Sequence, residues 1–185
     1  EEKLDENDRL EYILNKLDEK GIITKTGFSP DKQITRAEAL AMIIRTINME
    51  DAAKALAGKT RFDDVPDDYW ASGYINLAVR DGIANGTGET VFEPEENVTQ
   101  EQMIKMMLCA FGHTEEAEAD GGYPDGYMKL ARGRGYVYGI AAAQDTPITK
   151  AQAAGICHYA ILSEGDRIDS PKPEEVLDIF DSNNI

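Results

Sequence analysis

The chain has 185 residues, of which 42% are hydrophobic, and this is enough to build a core in one compact domain or two small ones. The formal net charge is −16, from 35 acidic and 19 basic residues without a basic block, so nucleic acid and anionic membrane surfaces are poor partners. No apolar run approaches the roughly 20 residues that cross a bilayer, and membrane insertion is therefore not expected.

The first recurring element is an apolar helical pattern that stops at a glycine. In the clearest copy, residues 70–83, the apolar residues fall on one face of the predicted helix, and Gly82 follows in the position of a C-cap. The other two copies end at Gly21 and Gly135. The sequence therefore predicts three helices of this type, each closed by a glycine.

The second recurring element is a Phe-x-Pro step in the loop after this helix. Phe28-Ser29-Pro30 and Phe92-Glu93-Pro94 each place the phenylalanine seven residues before a threonine. Such a step favours a turn, because proline cannot continue a helix. The third copy lacks the step, so its loop is expected to differ.

The third recurring element is a helix start. A hydrophobic residue precedes a threonine, and Glu or Gln follows three residues after the threonine. The three copies are Ile34-Thr35-Arg36-Ala37-Glu38, Val98-Thr99-Gln100-Glu101-Gln102 and Ile148-Thr149-Lys150-Ala151-Gln152. This pattern is a capping box, in which the threonine hydroxyl and the Glu or Gln side chain each accept from a backbone amide of the first turn. Each copy predicts a helix, and the equivalent residues Leu40, Ile104 and Ala154 belong to its apolar stripe.

Two linkers separate the copies, and an extension follows them. Residues 51–60 and 114–122 are predicted to be exposed linkers, the first of them rich enough in alanine to be helical. The three repeats that result are residues 5–50, 61–113 and 122–163. Residues 164–185 are predicted to form a C-terminal extension, with a short amphipathic helix over residues 174–180.

The second repeat carries most of the residues by which the chain resembles a known family. These residues are Phe62-Asp63-Asp64-Val65-Pro66, Trp70-Ala71, Gly82-Ile83-Ala84-Asn85-Gly86, Phe92-Glu93-Pro94 and Val98-Thr99. Together they resemble the S-layer homology repeat, and the segment from Ile34 to Glu38 is similar to that family's most recognisable short motif. The resemblance covers residues 5 to about 163 and is strongest in repeat two and weakest in repeat three.

This resemblance implies an all-α fold. In the family, three helix-loop-helix repeats wrap around a pseudo-threefold axis, with a central three-helix bundle and outer prongs. Residues 1–163 would then form one unit rather than three separate domains.

The resemblance also implies a function at the surface of bacteria. The family is secreted and binds secondary cell-wall polysaccharide, typically an anionic glycan modified with pyruvate, in grooves between neighbouring repeats. An aromatic residue, an aspartate and the arginine of the Thr-Arg-Ala-Glu motif line those grooves. Their chemistry fits the task, because an aromatic ring stacks on a sugar face and a guanidinium pairs with a carboxylate. The expected function is a non-catalytic wall anchor without cofactor or metal, with acidic wall polysaccharide as its partner and other surface proteins as further partners.

Three residues of this sequence match the family's binding positions in one pair of repeats. They are Arg36, Asp64 and Trp70, and they predict one glycan-binding groove between repeats one and two. At the position of Arg36, repeat two has Gln100 and repeat three has Lys150. A glutamine cannot pair with a carboxylate as an ion, which counts against a groove at Gln100.

The position of Trp70 also varies between the repeats. Repeat one has Arg9 there, and repeat three has Tyr123. Because Lys150 can bind a carboxylate as a point charge, Lys150 and Tyr123 are expected to form a second, weaker site.

Each candidate residue also has a structural explanation. Arg36 lies in the first turn of a capped helix, Trp70 can fix a helix entrance to the core, and Asp64 belongs to an acidic run that complements a helix dipole. That run, residues 63–68, lacks the ligand spacing of an EF-hand loop, so no metal site is predicted.

The remaining reactive residue types are also predicted to be structural. His158 aligns with Ile44 and Leu108 and is expected to be a hydrogen-bonded or half-buried histidine rather than a ligand, and Cys109 and Cys157 are expected to be buried free thiols. No nucleophile motif is present and no carboxylate pair stands out, so no catalytic residue is assigned.

A second function remains open, because repeats two and three lack the arginine. The repeat fold would then persist with a decayed glycan site, as a structural or protein-interaction module of the cell surface. An exposed, contiguous apolar patch would favour that function.

Overall fold

A computed structural model describes residues 5–165 of the chain. Within that range the chain forms eight helices and no strand, which confirms the all-α prediction. The helices are α1 (Glu6–Glu19), α2 (Arg36–Thr46), α3 (Glu50–Ala55), α4 (Ser72–Arg80), α5 (Gln100–Ala110), α6 (Thr114–Ala119), α7 (Asp125–Gly133) and α8 (Lys150–Glu164). The short helix predicted over residues 174–180 lies outside the described residues.

Helices α1, α4 and α7 end at the three glycines that the sequence marks. Gly21, Gly82 and Gly135 have φ angles of 70°, 69° and 79°, a left-handed conformation that costs glycine little. The residue after each glycine donates its backbone N–H into the last helical turn, as Ile22 does to Leu17 O at 2.9 Å. These bonds close each helix and confirm the three predicted ends.

Helices α2, α5 and α8 begin immediately after the three capping threonines. At Thr35, Thr99 and Thr149 both hydrogen bonds of the capping box are present. At the first of them, the Thr35 hydroxyl accepts from Glu38 N at 3.3 Å, and Glu38 Oε2 accepts from Thr35 N at 3.1 Å. The three predicted helix starts are confirmed.

The apolar stripes of α2, α5 and α8 meet at the centre of the molecule. Each of these helices packs against the other two, and Leu40, Ile104 and Ala154 are fully buried. Burial of apolar surface here is the main contribution to the stability of the fold. The central three-helix bundle is present, whereas its pseudo-threefold symmetry stays a prediction.

A closed ring of backbone hydrogen bonds joins the residues that precede the three capping threonines. Ile34 N donates to Ile148 O at 3.1 Å, Ile148 N to Val98 O at 2.9 Å, and Val98 N to Ile34 O at 3.2 Å. All three residues are buried, so the ring satisfies backbone groups that would otherwise lack a partner.

The loops of repeats one and two each hold the first residue of a helix from another repeat. Arg36 N, at the start of α2, donates to Glu96 O of repeat two at 2.8 Å. Lys150 N, at the start of α8, donates to Lys32 O of repeat one at 2.8 Å. These bonds satisfy amides of the first helical turn and bring Arg36 beside repeat two and Lys150 beside repeat one.

The two linkers are mostly exposed or half-buried, and each contains one buried alanine. Each forms a short helix, α3 or α6, in which one alanine, Ala53 or Ala117, is fully buried. A Cβ on Gly73 would lie 2.0 Å from Ala53 O, and a Cβ on Gly126 would lie 2.2 Å from Ala117 O. The prediction that both linkers are exposed is confirmed for most of their residues, and Ala53 and Ala117 are exceptions because glycine lets each linker helix approach its neighbour at backbone distance.

Candidate functional site

Three of the cavities in the described part of the chain lie where repeats meet. We name them the Trp70 cavity, the Arg36 cavity and the Arg9 cavity, after one lining residue of each. Their volumes are about 220, 260 and 390 Å³. They fall where the sequence predicts grooves, but their residues are combined differently from the prediction.

The Arg36 cavity carries two cations. It is lined by Arg36 from repeat one, by Asn85, Gln102 and Lys105 from repeat two, and by Tyr123 from repeat three. Within the described part of the chain, no Asp or Glu lines it, although the whole chain has 35 acidic residues. A positive cavity in so acidic a protein is suited to an anion.

The Arg36 side chain is half-buried and only partly satisfied. Its Nη2 donates to Asn85 O at 2.5 Å, and its Cζ lies 4.7 Å from the centre of the Phe92 ring. Its Nε is buried and has no hydrogen-bond partner within residues 5–165. Burial lowers the pKa of Arg36, and the charge of nearby Glu93 opposes that shift. A guanidinium with an unused N–H in this position can donate to the oxygen of an acidic ligand.

Lys105 and Tyr123 form another part of the wall of the Arg36 cavity. The Lys105 Nζ lies 5.0 Å from the centre of the Tyr123 ring and 5.7 Å from that of Tyr127, an attractive arrangement of a cation over aromatic rings. Tyr123 leaves 46% of its surface exposed. Sequence reasoning did not single out Lys105. Its position in the repeat could have indicated it, because the equivalent positions in α2 and α8 are occupied by the small residues Ala41 and Gly155.

In the Trp70 cavity the cations are already paired. The lining residues include Trp70 from repeat two, Glu38 and Arg45 from repeat one, and Lys150 from repeat three. Lys150 Nζ donates to Glu38 Oε1 at 2.7 Å, and Arg45 Nε donates to Glu50 Oε1 at 2.8 Å. Trp70 is 53% exposed, so its ring is available to a ligand rather than packed in the core.

The Arg9 cavity differs from both. The Arg9 Nη2 donates to Gly139 O at 2.9 Å, so its guanidinium lies against the turn that follows α7. Gln100, the equivalent of Arg36 and Lys150, is buried, and its side-chain nitrogen has no hydrogen-bond partner among the described residues. A neutral residue thus takes the place of the helix-start cation in repeat two, as the sequence indicates.

Asp64 supports a loop next to the Arg36 cavity. Its Oδ1 accepts from Phe92 N at 2.9 Å, and its Oδ2 accepts from Glu93 N at 2.7 Å. Glu93 has a φ of 59°, which is uncommon for a residue other than glycine, and the carboxylate of Asp64 stabilises this turn. The turn in turn holds the Phe92 ring beside the Arg36 guanidinium. A direct contact of Asp64 with a glycan stays a prediction.

The predicted pairing of the site residues is wrong. Arg36 shares its cavity with Tyr123 rather than with Trp70, and Lys150 shares its cavity with Trp70 rather than with Tyr123. The cause is that the helix after each aromatic residue packs on the central helix of the preceding repeat, so α4 carries Trp70 to α2, and α7 carries Tyr123 to α5, beside which repeat two holds the backbone of Arg36. The role of these five predicted residues, Arg36, Asp64, Trp70, Tyr123 and Lys150, in glycan binding stays a prediction.

His158 and the two cysteines take structural positions. The buried His158 ring contacts the ring of Tyr12, and burial lowers the pKa of His158. Both cysteines are free, and burial raises the pKa of Cys157 to about 12. The prediction of burial is wrong for Cys109, which is half-buried near the end of α5.

Residues 5–165 contain neither a cluster of metal-ligating residues nor a helix suited to cross a membrane. No group of three or more His, Cys, Asp or Glu in this range is arranged to hold a metal ion. No helix in this range combines the length and the apolar character needed to cross a membrane.

Comparison with known proteins identifies relatives at cell surfaces. A family model described as the S-layer homology domain matches residues 13–40 and 61–104. The chain is 33% identical to a cell surface protein of Thermoanaerobacter kivui, over 72% of this chain and 17% of that protein. It is 29% identical to a surface layer protein of Brevibacillus choshinensis, over 80% of this chain and 13% of that protein. An amylopullulanase of Thermoanaerobacterium thermosulfurigenes is 34% identical over 48% of this chain and 4% of the enzyme. The chain therefore spans only a small part of these relatives.

Proposed function

The chain belongs to the S-layer homology domain family, and on that premise we propose that it is a non-catalytic module that binds an acidic cell-wall polysaccharide and thereby anchors a protein to the wall. Its location is the bacterial cell surface, in association with the wall. Other surface proteins are further partners. Binding of this kind is noncovalent and requires no cofactor.

The observation that carries this proposal is the charge of the Arg36 cavity. Arg36 and Lys105 line it together, and within residues 5–165 neither forms an ion pair with a carboxylate of the chain. A ligand carboxylate could accept from the unused Nε of Arg36 and a second N–H, with Lys105 as an additional positive charge. The exposed ring of Tyr123 would stack on the apolar face of the same sugar.

A binding role also fits the relatives better than a catalytic one. The match to the amylopullulanase covers 4% of that enzyme, so its catalytic activity is not carried over to this chain. The match to the surface layer protein covers 80% of this chain. We accordingly assign attachment to the cell wall to this module, and any catalytic activity to other parts of the proteins that carry it.

The test is equilibrium binding of purified wall polysaccharide to the Arg36→Gln variant. We expect a loss of affinity of about tenfold or more, because a hydrogen bond to a charged group contributes roughly 1.5–3 kcal/mol. Lys129→Gln is the matched control, since it removes the same charge from an exposed side chain paired with Asp120, away from the cavity. Equal affinities of the wild type and of Arg36→Gln would refute the assignment of the cavity.

A protein-interaction function is the second candidate, and one surface feature favours it. The rings of Tyr12, His158, Tyr159 and Tyr138 contact one another in series, at centroid distances of 5.9, 5.2 and 5.6 Å. Tyr12 and Tyr138 are 50% and 68% exposed. Failure of the wild type to bind purified wall polysaccharide, together with loss of wall attachment in Tyr138→Ala, would favour this candidate.

A further inference from the structure

The Trp70 and Arg36 cavities are built from equivalent positions of different repeats. Each combines an aromatic residue, Trp70 or Tyr123, with the first residue of a central helix, Lys150 or Arg36. Each also contains the turn that follows a glycine-ended helix. The two cavities therefore offer a ligand the same kind of pocket, and differences between them come from individual side chains.

The charge of each cavity depends on the third residue of one central helix, α2 in the Trp70 cavity and α5 in the Arg36 cavity. In the Trp70 cavity this residue is Glu38, whose Oε1 accepts from Lys150 Nζ at 2.7 Å. In the Arg36 cavity the equivalent residue is Gln102, which is neutral and places no carboxylate beside Arg36 in the cavity wall. Lys105 adds a second positive charge there. The first cavity thus contains a closed ion pair, and the second contains two positive charges.

We propose that the two cavities bind different sugar residues of the wall polymer: the Arg36 cavity binds an acidic residue, and the Trp70 cavity binds an uncharged one. This inference rests on the proposed function and adds the class of sugar that each cavity accepts.

Two physical costs oppose an acidic sugar in the Trp70 cavity. A ligand carboxylate beside Lys150 would lie next to the carboxylate of Glu38, and two adjacent negative charges repel each other strongly in a partly buried site. To avoid that, the ligand would have to displace Glu38 from Lys150 and leave a carboxylate without its partner.

An uncharged sugar avoids both costs. Its ring can stack on the exposed indole of Trp70, as apolar sugar faces do on aromatic rings. Its hydroxyls can exchange hydrogen bonds with Thr24, Thr26 and Ser29, which line the same cavity. In the Arg36 cavity an uncharged sugar would leave the buried Nε without an anionic acceptor, so the preference there is reversed.

The test uses short oligosaccharides cut from purified wall polysaccharide, either native or with their carboxyl groups chemically reduced to alcohols. Trp70 is the only tryptophan of the chain, so its fluorescence reports occupancy of the Trp70 cavity. Calorimetry on the Trp70→Ala variant reports the Arg36 cavity. We expect the fluorescence of the wild type to saturate at concentrations within about twofold for the two probes, and Trp70→Ala to bind the native probe about tenfold more tightly than the reduced one.

Two reciprocal substitutions sharpen the test without disturbing the capping boxes. Glu and Gln both complete that box in this chain, so Glu38→Gln and Gln102→Glu keep their helix starts. In Glu38→Gln, Lys150 is released, and the tryptophan signal should show about fivefold tighter binding of the native probe but unchanged binding of the reduced one. In Gln102→Glu combined with Trp70→Ala, binding of the native probe should weaken about tenfold.

The possible failures are distinguishable. If neither probe binds to the wild type, the proposed function fails and this inference fails with it. If the native probe binds but the fluorescence of Trp70 responds to that probe alone, the proposed function stands and the division between the two cavities is overturned. The division between the two cavities is also overturned if Glu38→Gln does not change the relative affinity of the Trp70 cavity for the native and reduced probes.

Discussion

The centre of the molecule and the cavities around it are built by the same repeats, yet only the centre is alike in all three. Each repeat starts its central helix with a complete capping box, and a closed ring of backbone hydrogen bonds joins the residues before them. The first residue of the central helix, by contrast, differs between the repeats: Arg36 and Lys150 each line a cavity, whereas the equivalent Gln100 is neutral and buried.

This difference follows from what each region requires. The ring and the helix caps use backbone groups and the polar side chains of the capping boxes. They can therefore form beside different surrounding side chains and recur unchanged in every repeat. We expect the cavity side chains to contribute little to folding, because Trp70 and Tyr123 are about half exposed, and they can therefore differ from one repeat to the next. Substitutions in the two regions should therefore affect stability and binding separately.

The largest expected effect comes from truncating the central bundle. Leu40→Ala removes a fully buried side chain and should lower the free energy of unfolding by about 2–5 kcal/mol. Trp70→Ala, in the half-exposed wall of a cavity, should lower it by less than about 1 kcal/mol. Urea unfolding followed by circular dichroism measures both values. Equal losses would mean that the cavity wall is part of the core.

The same experiment tests the proposal that residues 1–163 form one unit. If the three repeats unfold together, Leu40→Ala should shift a single transition without broadening it. A second transition that the substitution leaves in place would mean that the repeats are separate domains.

The next largest effect is expected at the contact between α3 and α4. Gly73→Ala places a Cβ 2.0 Å from Ala53 O, and separating the two helices should cost about 1–3 kcal/mol of unfolding free energy. Gly133→Ala is the control, because a Cβ there meets nothing within 4 Å and alanine favours a helix. Thermal unfolding of the two variants decides the matter. A Gly73→Ala variant as stable as the control would contradict the close approach.

A smaller effect is expected from acid at Glu50, the first residue of α3. Burial alone would raise the pKa of Glu50, but hydrogen bonds from Tyr74, Arg45 and Lys54 hold it at about 2, below its ordinary value of 4.5. Because the pKa is lower in the folded state, this contribution to stability is present above pH 4.5 and is lost as the pH falls toward 2. Since the side chain is 30% exposed, we expect a contribution of about 1 kcal/mol.

Tyr74→Phe checks this expectation. The Tyr74 hydroxyl donates to Glu50 Oε1 at 2.5 Å, and the substitution removes that bond while keeping the ring. The difference in unfolding free energy between the variant and the wild type should be larger at pH 6 than at pH 2.5. An equal difference at both values would mean that the bond does not depend on the charge of Glu50.

The smallest expected effect is that of salt on polysaccharide binding. A chain of net charge −16 and an acidic polymer repel each other at long range, and salt screens that repulsion over a Debye length of about 8 Å at 0.15 M. The short-range pairing with Arg36 is partly buried and is screened less. Affinity should therefore rise by about twofold as salt increases from roughly 0.05 to 0.3 M. A steep fall would show that long-range attraction dominates.

Much of the fold could be predicted from local sequence signals. The capping boxes and terminal glycines depend on residues within one helical turn, so their identity determines them directly. The alanine content of the first linker predicts its helix, but the burial of the linker helices could not be predicted in this way. The burial of Ala53 depends on Gly73, 20 positions further along, which admits its backbone only after α4 has formed.

The cavities were less predictable for a related reason. Sequence alignment of the repeats identifies equivalent positions, such as Trp70 and Tyr123, but it does not say which loop meets which helix start. That order is set by the hydrogen bond from Arg36 N to Glu96 O together with the packing of α7 on α5, which bring Arg36 and Tyr123 to one cavity. Lys105, in contrast, could have been found as the one charged residue in a register otherwise filled by small ones.

The most direct test of this account is a pair of double-mutant cycles on binding of native wall oligosaccharide. One cycle combines Arg36→Gln with Tyr123→Ala, and the other combines Arg36→Gln with Trp70→Ala. Because Arg36 and Tyr123 line one cavity, we predict a coupling energy of about 0.5–3 kcal/mol between them and additive effects, within roughly 0.5 kcal/mol, for Arg36 and Trp70. Coupling of Arg36 to Trp70, with additivity toward Tyr123, would contradict the arrangement of the cavities on which the proposed function depends.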